Sequence, residues 1–293
     1  MTTIILLLVT GLGLGALYFM VAVGLSLTWG LMRVLNLAQG AFLTVGSYAG
    51  WSATQALHLA PGWGSWLIAL VAAMLAGGVL AALVETVLIR PLYARPVDQI
   101  LITVGVALAL VALVQGIYGS DPREFGLPAW MSSTTALAGA MVPNTRFVAI
   151  GIAALIFVLL YLFLERTRFG LIVRAGVENR TMVEALGIDV QKAFTLVFTI
   201  SGMASGVAGV VAASYFGTID PGRGTSMLIF ALIVVVIGGL GSLSGCALAA
   251  MVVGTVQQFL NFYGSSGVGD FAVIGLLALV LLLRPRITWE PAE

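Results

Sequence analysis

The sequence predicts an all-α, polytopic membrane protein of eight or nine transmembrane helices, some of them short or broken. Three observations predict it. Apolar residues make up 60% of the 293 and charged residues 9%, where a soluble domain carries about a quarter charged residues. The mean hydropathy is +1.12. There are 36 glycines, and glycine is commoner in membrane helices than in soluble ones. The chain reads as a single transmembrane domain over 1–293, with an outer loop at 120–146 and a cytoplasmic loop at 165–192.

Each span is bounded by charges or by Pro/Gly clusters. A crossing helix needs about 20 mostly apolar residues. This places spans near 4–29, 40–59, 65–89, 99–119, 147–164 and 193–217, then three shorter ones near 226–240, 245–262 and 271–283. The first opens MTTIILLLVTGLGLG, with no Lys or Arg ahead of its apolar run; a retained span is expected there rather than a cleaved signal. No charge occurs between Val34 and Val84. That run is too long for one crossing, and Pro61-Gly62 is the turn within it. The short pieces after residue 225 leave the count at eight or nine.

Arginine and lysine orient the spans. With the loop 165–192 cytoplasmic and sides alternating from there, Arg33, Arg90, Arg95, Arg166, Arg168, Arg174, Arg180, Lys192, Arg284 and Arg286 fall inside. Arg123, Arg146 and Arg223 fall outside. Ten against three places the C-terminus inside and, with nine spans, the N-terminus outside. The outer loop is expected at the membrane interface and is too short for a folded receptor domain.

Several function classes are excluded. A net charge of +1 argues against a nucleic-acid partner. There is no G-x-x-x-x-G-K-[ST] run and so no phosphate-binding loop. His58 is the only histidine, and there is no H-E-x-x-H or Cys/His cluster, so no bound metal or other cofactor is expected. His58, near Pro61 and Trp63, reads as an interfacial residue. Cys246, the lone cysteine, reads as a small core residue. Glu85 and Asp270 lie close to span ends, so no carboxylate is expected deep in the membrane, where ion-driven transporters keep ionisable groups. No catalytic cluster is present, and an enzyme is not expected.

Two features remain. The first is the loop ERTRFGLIVRAGVENRTMVEALGIDVQKAF, residues 165–194. Over 177–186 it reads as an amphipathic helix, with Met182 and Leu186 four apart and Val183 alongside. Gly187 suits the helix end, and Asp189 suits the cap of the next membrane helix. Such a helix either lies on the membrane as a linker or docks into a groove on a cytoplasmic partner.

The second feature is a pair of breaks. In WGLMRVLNLAQGAF, residues 29–42, Gly30 and Gly40 bracket Arg33, Asn36 and Gln39. Backbone groups freed at membrane depth need partners or water, so a broken helix should face protein or a cavity. Arg33 is near enough to the cytoplasmic end to snorkel, and Asn36 and Gln39 share a face if the helix continues. The stretch is either an ordinary cytoplasmic turn or a gate. The second break is GGLGSLSG, residues 238–245; its Gly238, Gly239, Gly241 and Gly245 favour close helix packing. Further on, Gln257 and Asn261 are four apart on an apolar helix. Buried amides need hydrogen bonds, so these two either bond across a helix interface or line a path.

RTRFG followed by RAGVENRTMVEALGIDV resembles the coupling loop of the branched-chain amino acid ABC transporter permease family. GLSLTWGLMRVLNLAQGAFLTVGSY and VVVIGGLGSLSGCALAAMVVG resemble the same family at its relative positions, and the resemblance covers most of the chain. Order and length are similar to the shorter of the two permease types in such systems. The resemblance implies a transport subunit in a bacterial inner membrane. Its implied partners are a second homologous permease, two cytoplasmic ATPase subunits, a periplasmic substrate-binding protein and membrane lipid. ATP is then used by the partner subunits, which accounts for the missing phosphate loop. ATPase coupling falls to the loop residues Arg174, Arg180, Glu184, Ala185 and Gly187. The last three match by position the E-A-A-x-x-x-G pattern of ABC importers, which Glu184-Ala185-Leu186-Gly187 shortens. A neutral solute needs polar groups without strong fixed charge, so Arg33, Asn36, Gln39, Gln257 and Asn261 are the candidate pathway or gate residues. Related permeases handle branched-chain or other neutral amino acids, amides and urea. A secondary transporter or channel, working without ATPases, stands as the competing class.

Overall fold

The computed structural model describes residues 2–93, 95–178, 189–265 and 267–283. Its helices are α1 (Thr2–Met32), α2 (Gln39–Ala56), α3 (Trp63–Leu83), α4 (Pro96–Tyr118), the single turn α5 (Ala129–Ser132), α6 (Asn144–Arg166), α7 (Arg168–Glu178), α8 (Val190–Phe216), α9 (Arg223–Gly238), α10 (Leu243–Tyr263) and α11 (Val268–Leu283). Among the described residues six are long and apolar enough to cross a membrane: α1, α3 with its continuation to Leu92, α4, α6, α8 and α10. The helices α9 and α11 are apolar but shorter. The 18-residue α2 carries more polar side chains, among them Gln39, Thr44, Ser47 and Ser52.

Helix α1 is apolar on every side, a pattern that belongs in a core, and residues 13–28 are all buried. It runs antiparallel to α10: Gly11 meets Thr255 and Gly15 meets Ala250, while Gly30 meets Gly241 just ahead of α10. It is also antiparallel to α8, since the Tyr215 hydroxyl donates to the Thr10 carbonyl at 3.0 Å and Ser201 donates to the Gly24 carbonyl at 3.2 Å. On its other side α8 packs against α3 through small residues. Helix α4 lies at the edge and exposes Leu101, Leu108 and Ile117.

The end that carries Arg123, Arg146 and Arg223 has more structure than its sequence indicated. Strand β1 (Arg123–Glu124) pairs antiparallel with β4 (Thr218–Ile219), and β2 (Thr134–Leu137) with β3 (Ala140–Pro143). Ala138 and Gly139 turn the hairpin with φ of 48° and 86°, the two positive values that match strand twist. Arg146 and Arg223 lie over the rings of Tyr215 and Phe216, at 3.4 and 4.1 Å from the centroids. Such contacts let a cation approach an apolar wall.

At the opposite end α3 continues as a π-helical turn (Val84–Ile89) and a 3-10 turn (Arg90–Leu92). Asp189 caps α8 as expected: its carboxylate accepts the Lys192 backbone N–H at 3.2 Å and pairs with the Lys192 ammonium at 3.2 Å. That backbone hydrogen bond, first among the causes, holds the Asp189 carboxyl below the usual range. Within the loop 165–192, residues Arg168–Glu178 form α7. Arg180, Glu184, Ala185 and Gly187 lie outside the described residues, as does most of the helix expected over 177–186, and the Arg174 side chain is likewise not described.

Candidate functional site

The first break begins at Arg33. Its φ is +56°, and its N–H donates to the Trp29 carbonyl at 2.9 Å, the left-handed helix ending that glycine usually supplies. A residue with a Cβ accepts this conformation at about 1–2 kcal/mol. The Arg33 side chain is exposed, whereas Asn36 and Gln39 are fully buried. Asn36 Oδ1 accepts the Ala38 N–H at 3.1 Å and its Nδ2 donates to Gln39 Oε1 at 3.1 Å. Gln39 Nε2 donates to the Ser201 carbonyl at 2.9 Å and to Ser205 Oγ at 2.5 Å, while Ser201 Oγ lies 3.1 Å from Gln39 Oε1. Both donors and the acceptor of the Gln39 amide are thereby used. The Leu37 N–H donates to Thr103 Oγ1 at 3.3 Å, which ties the break to α4. The break thus faces protein, as freed backbone in a membrane requires.

The second break touches the first. Gly239 and Gly241 have φ of 92° and 84°, and a Cβ on Gly241 would come within 2.9 Å of the Gly30 Cα. Gly238 and Gly245 face each other so closely that a Cβ on Gly238 would lie 2.6 Å from the Gly245 carbonyl. Ser242 caps α10 by accepting the Gly245 N–H at 3.1 Å.

Gln257 and Asn261 belong to a separate cluster. The Tyr18 hydroxyl donates to Gln257 Oε1 at 2.7 Å, and Gln257 Nε2 donates to Asp270 Oδ1 at 2.6 Å. Asn261 Oδ1 accepts the Gly267 and Gly269 N–H groups at 3.3 and 2.9 Å and so fixes the start of α11. Of the five candidate pathway residues, the structure joins Asn36 to Gln39, sets Arg33 beside them but turned outward, and ties the other two to α1 and α11.

The sequence matches the family model described as "Branched-chain amino acid transport system / permease component" over residues 7–283. The chain belongs to this family. It is similar to the high-affinity branched-chain amino acid transport system permease protein LivH of Salmonella typhimurium, 28% identical over 94% of this chain and 92% of that one. It is equally similar to BraD of Pseudomonas aeruginosa, a protein of the same description, at 28% over 95% and 93%. A more partial likeness is to the autoinducer 2 import system permease protein LsrD of Photorhabdus temperata, 28% identical over 66% of this chain and 60% of that one. No solved structure matches the chain. It is therefore a multi-pass membrane permease component of an ABC-type transport system, and its relatives are transport subunits.

Some residues of this permease escaped sequence reasoning. Glu85, read as lying at a span end, is fully buried, with the Tyr93 hydroxyl donating to Oε1 at 2.6 Å and the Thr195 hydroxyl to Oε2 at 2.7 Å. The π turn that prolongs α3 folds the carboxylate inward. A lone glutamate in GGVLAALVETVLI was the available signal. Ser201 and Ser205, four apart on α8, were visible only as small residues.

Arg33 separates conformation from charge. Arg33→Gly should keep the helix ending, because glycine adopts positive φ without strain, and should match or slightly exceed the parent's thermal midpoint. If the guanidinium serves the permease, the same variant should lose transport, and Arg33→Lys should restore it only where charge alone matters. Full transport by Arg33→Gly would remove Arg33 from the mechanism.

Proposed function

We propose that this permease is one of two transmembrane subunits of an ATP-driven importer, and that it carries branched-chain or other small neutral amino acids inward. The single observation that carries the reading is the family match along residues 7–283. Likenesses to LivH and BraD over more than nine-tenths of the chain point to the solute class. In this reading all nine of the longer membrane helices cross the bilayer of a bacterial inner membrane, with the N-terminus outside. ATPase subunits dock on the loop 165–192 through Arg174, Arg180, Glu184, Ala185 and Gly187. A substrate-binding protein delivers solute at the end that carries β1 and β4. The first break is the inner gate. Arg33 stands at its mouth, and Asn36 and Gln39 hold it shut through bonds that opening must exchange. Gln257 and Asn261 line the path nearer the outer side, and Gly238, Gly239, Gly241 and Gly245 set the helix approach that brings the two breaks together.

The reading is tested by coexpressing the chain with the ATPase and second permease of its own system. The complex is then reconstituted into vesicles with the binding protein outside and ATP at the ATPase. Uptake of radiolabelled leucine should require both ATP and the binding protein. Uptake of urea or acetamide in place of leucine would redirect the substrate class, and uptake independent of ATP would overturn the importer.

A further inference from the structure

Glu85 has no exposed surface, and among the described residues it makes no ion pair. Ionisable groups held inside membrane proteins are uncommon and mark function. Its stabilisation comes from two hydroxyls, Tyr93 at 2.6 Å and Thr195 at 2.7 Å. A buried acceptor stripped of both donors would be costly.

The three groups come from three elements. Glu85 belongs to the π turn of α3, and its carbonyl accepts the Arg90 N–H five residues on. Such turns concentrate at functional sites. Tyr93 follows the 3-10 turn, with its ring edge-on to Phe194 at 6.0 Å. Thr195 lies in the second turn of α8, just past the cytoplasmic loop and its cap Asp189. Thr195 has one proton and two acceptors in reach: Glu85 Oε2 at 2.7 Å and the Gln191 carbonyl at 3.0 Å. It can therefore leave the carboxylate without becoming unbonded, while Tyr93 keeps the carboxylate solvated. From Tyr93 the contacts continue to the first break. The Leu92 carbonyl accepts Gln99 Nε2 at 2.7 Å, and Thr103, one turn along α4 from Gln99, accepts the Leu37 N–H.

We propose that Glu85 is a positioning residue that ties the entry of α8 to the π turn of α3, with Thr195 as its exchangeable bond, so that motion of the cytoplasmic loop reaches the first break through it. The proposal rests on the importer reading. Displacement of the α8 entry either carries the Glu85 carboxylate, and with it Tyr93 and the π turn, or transfers the Thr195 proton bond to Gln191. Two such arrangements of one hydroxyl are what a two-state element needs.

The test uses the reconstituted permease–ATPase complex and measures solute uptake and ATP hydrolysis together. Thr195→Val, equal in shape but without the hydroxyl, should lower uptake about tenfold at hydrolysis within about twofold of the parent, a loss typical of coupling between sites. Thr195→Ser should restore uptake. In a Glu85→Gln background, Thr195→Val should add no further loss. Parental uptake in Thr195→Val, failure of Thr195→Ser to rescue, or losses that add would each overturn the proposal. The valine–serine comparison stands by itself if Glu85→Gln fails to assemble. Parental vesicles that take up no solute with ATP would overturn the importer reading instead, before any variant is compared.

Discussion

Gly24→Ala should damage the first break, and Gln39→Ala in the same chain should recover part of the loss. A Cβ on Gly24 would run into the Gln39 amide nitrogen and lie 3.0 Å from Ser201 Oγ. The amide has nowhere to retreat, because its two N–H groups are held by the Ser201 carbonyl and Ser205. Moving it leaves buried partners unbonded at about 1–3 kcal/mol each. Gln39→Ala alone orphans the same partners, Asn36 Nδ2 among them, and opens a void. In the double variant the new methyl occupies space the amide has left, so the two losses overlap. The sum of the single losses should exceed the double loss by roughly 0.5–3 kcal/mol, the range found for touching residues. Thermal unfolding of the purified permease in detergent measures this. Strictly additive losses would mean that Gly24 and Gln39 are not in contact in the folded protein.

Why these residues could be singled out from sequence, and their partners could not, follows from the physics of each signal. Polar residues stand out against apolar runs, so Asn36, Gln39, Gln257 and Asn261 were found, and glycine clusters located both breaks. Charge bias sorted Arg123, Arg146 and Arg223 from the rest, and the structure gathers these three at the end with the small strands. What a polar residue bonds to is a long-range matter. Tyr18 and Asp270 come to Gln257 from two other helices, and nothing local to α10 marks them. The contact of Gly30 with Gly241 joins segments far apart in the chain. Burial is equally hidden. Hydropathy placed Glu85 near the end of a span, but could not show that the side chain there is buried against protein, in a π turn invisible in periodicity. The strands β1 to β4 have only two to four residues, too few for alternation to show.

The greatest loss of all is expected at the seam of α3 and α8, where Gly206→Leu should leave no folded permease. Lipid is as apolar as leucine, so helices in a bilayer associate through close packing of small residues rather than through the hydrophobic effect. Gly202 and Gly206, four apart on α8, lie against Ala73, Gly77 and Ala81 on α3. A Cβ on Gly206 would overlap the Ala73 carbonyl oxygen, and one on Gly77 would overlap the Gly202 carbonyl oxygen. These obstacles are backbone, which no rotamer change can relieve, so the whole helix must move. Overpacking a core with side-chain atoms typically costs 1–3 kcal/mol, and displacing a backbone costs more. The neighbouring face of α8 carries Ser201 and Ser205, the partners of Gln39. Pushing α8 off α3 therefore strains the first break as well, and the damage spreads beyond the seam. Gly206→Ala should be intermediate. Gly116→Leu on α4 is the control: a Cβ there meets nothing within 4 Å, and replacing glycine inside a helix favours the helix by up to about 1 kcal/mol. Size-exclusion yield and thermal midpoint decide the matter. A monodisperse Gly206→Leu permease with a midpoint equal to that of Gly116→Leu would show that α3 and α8 do not meet in this register.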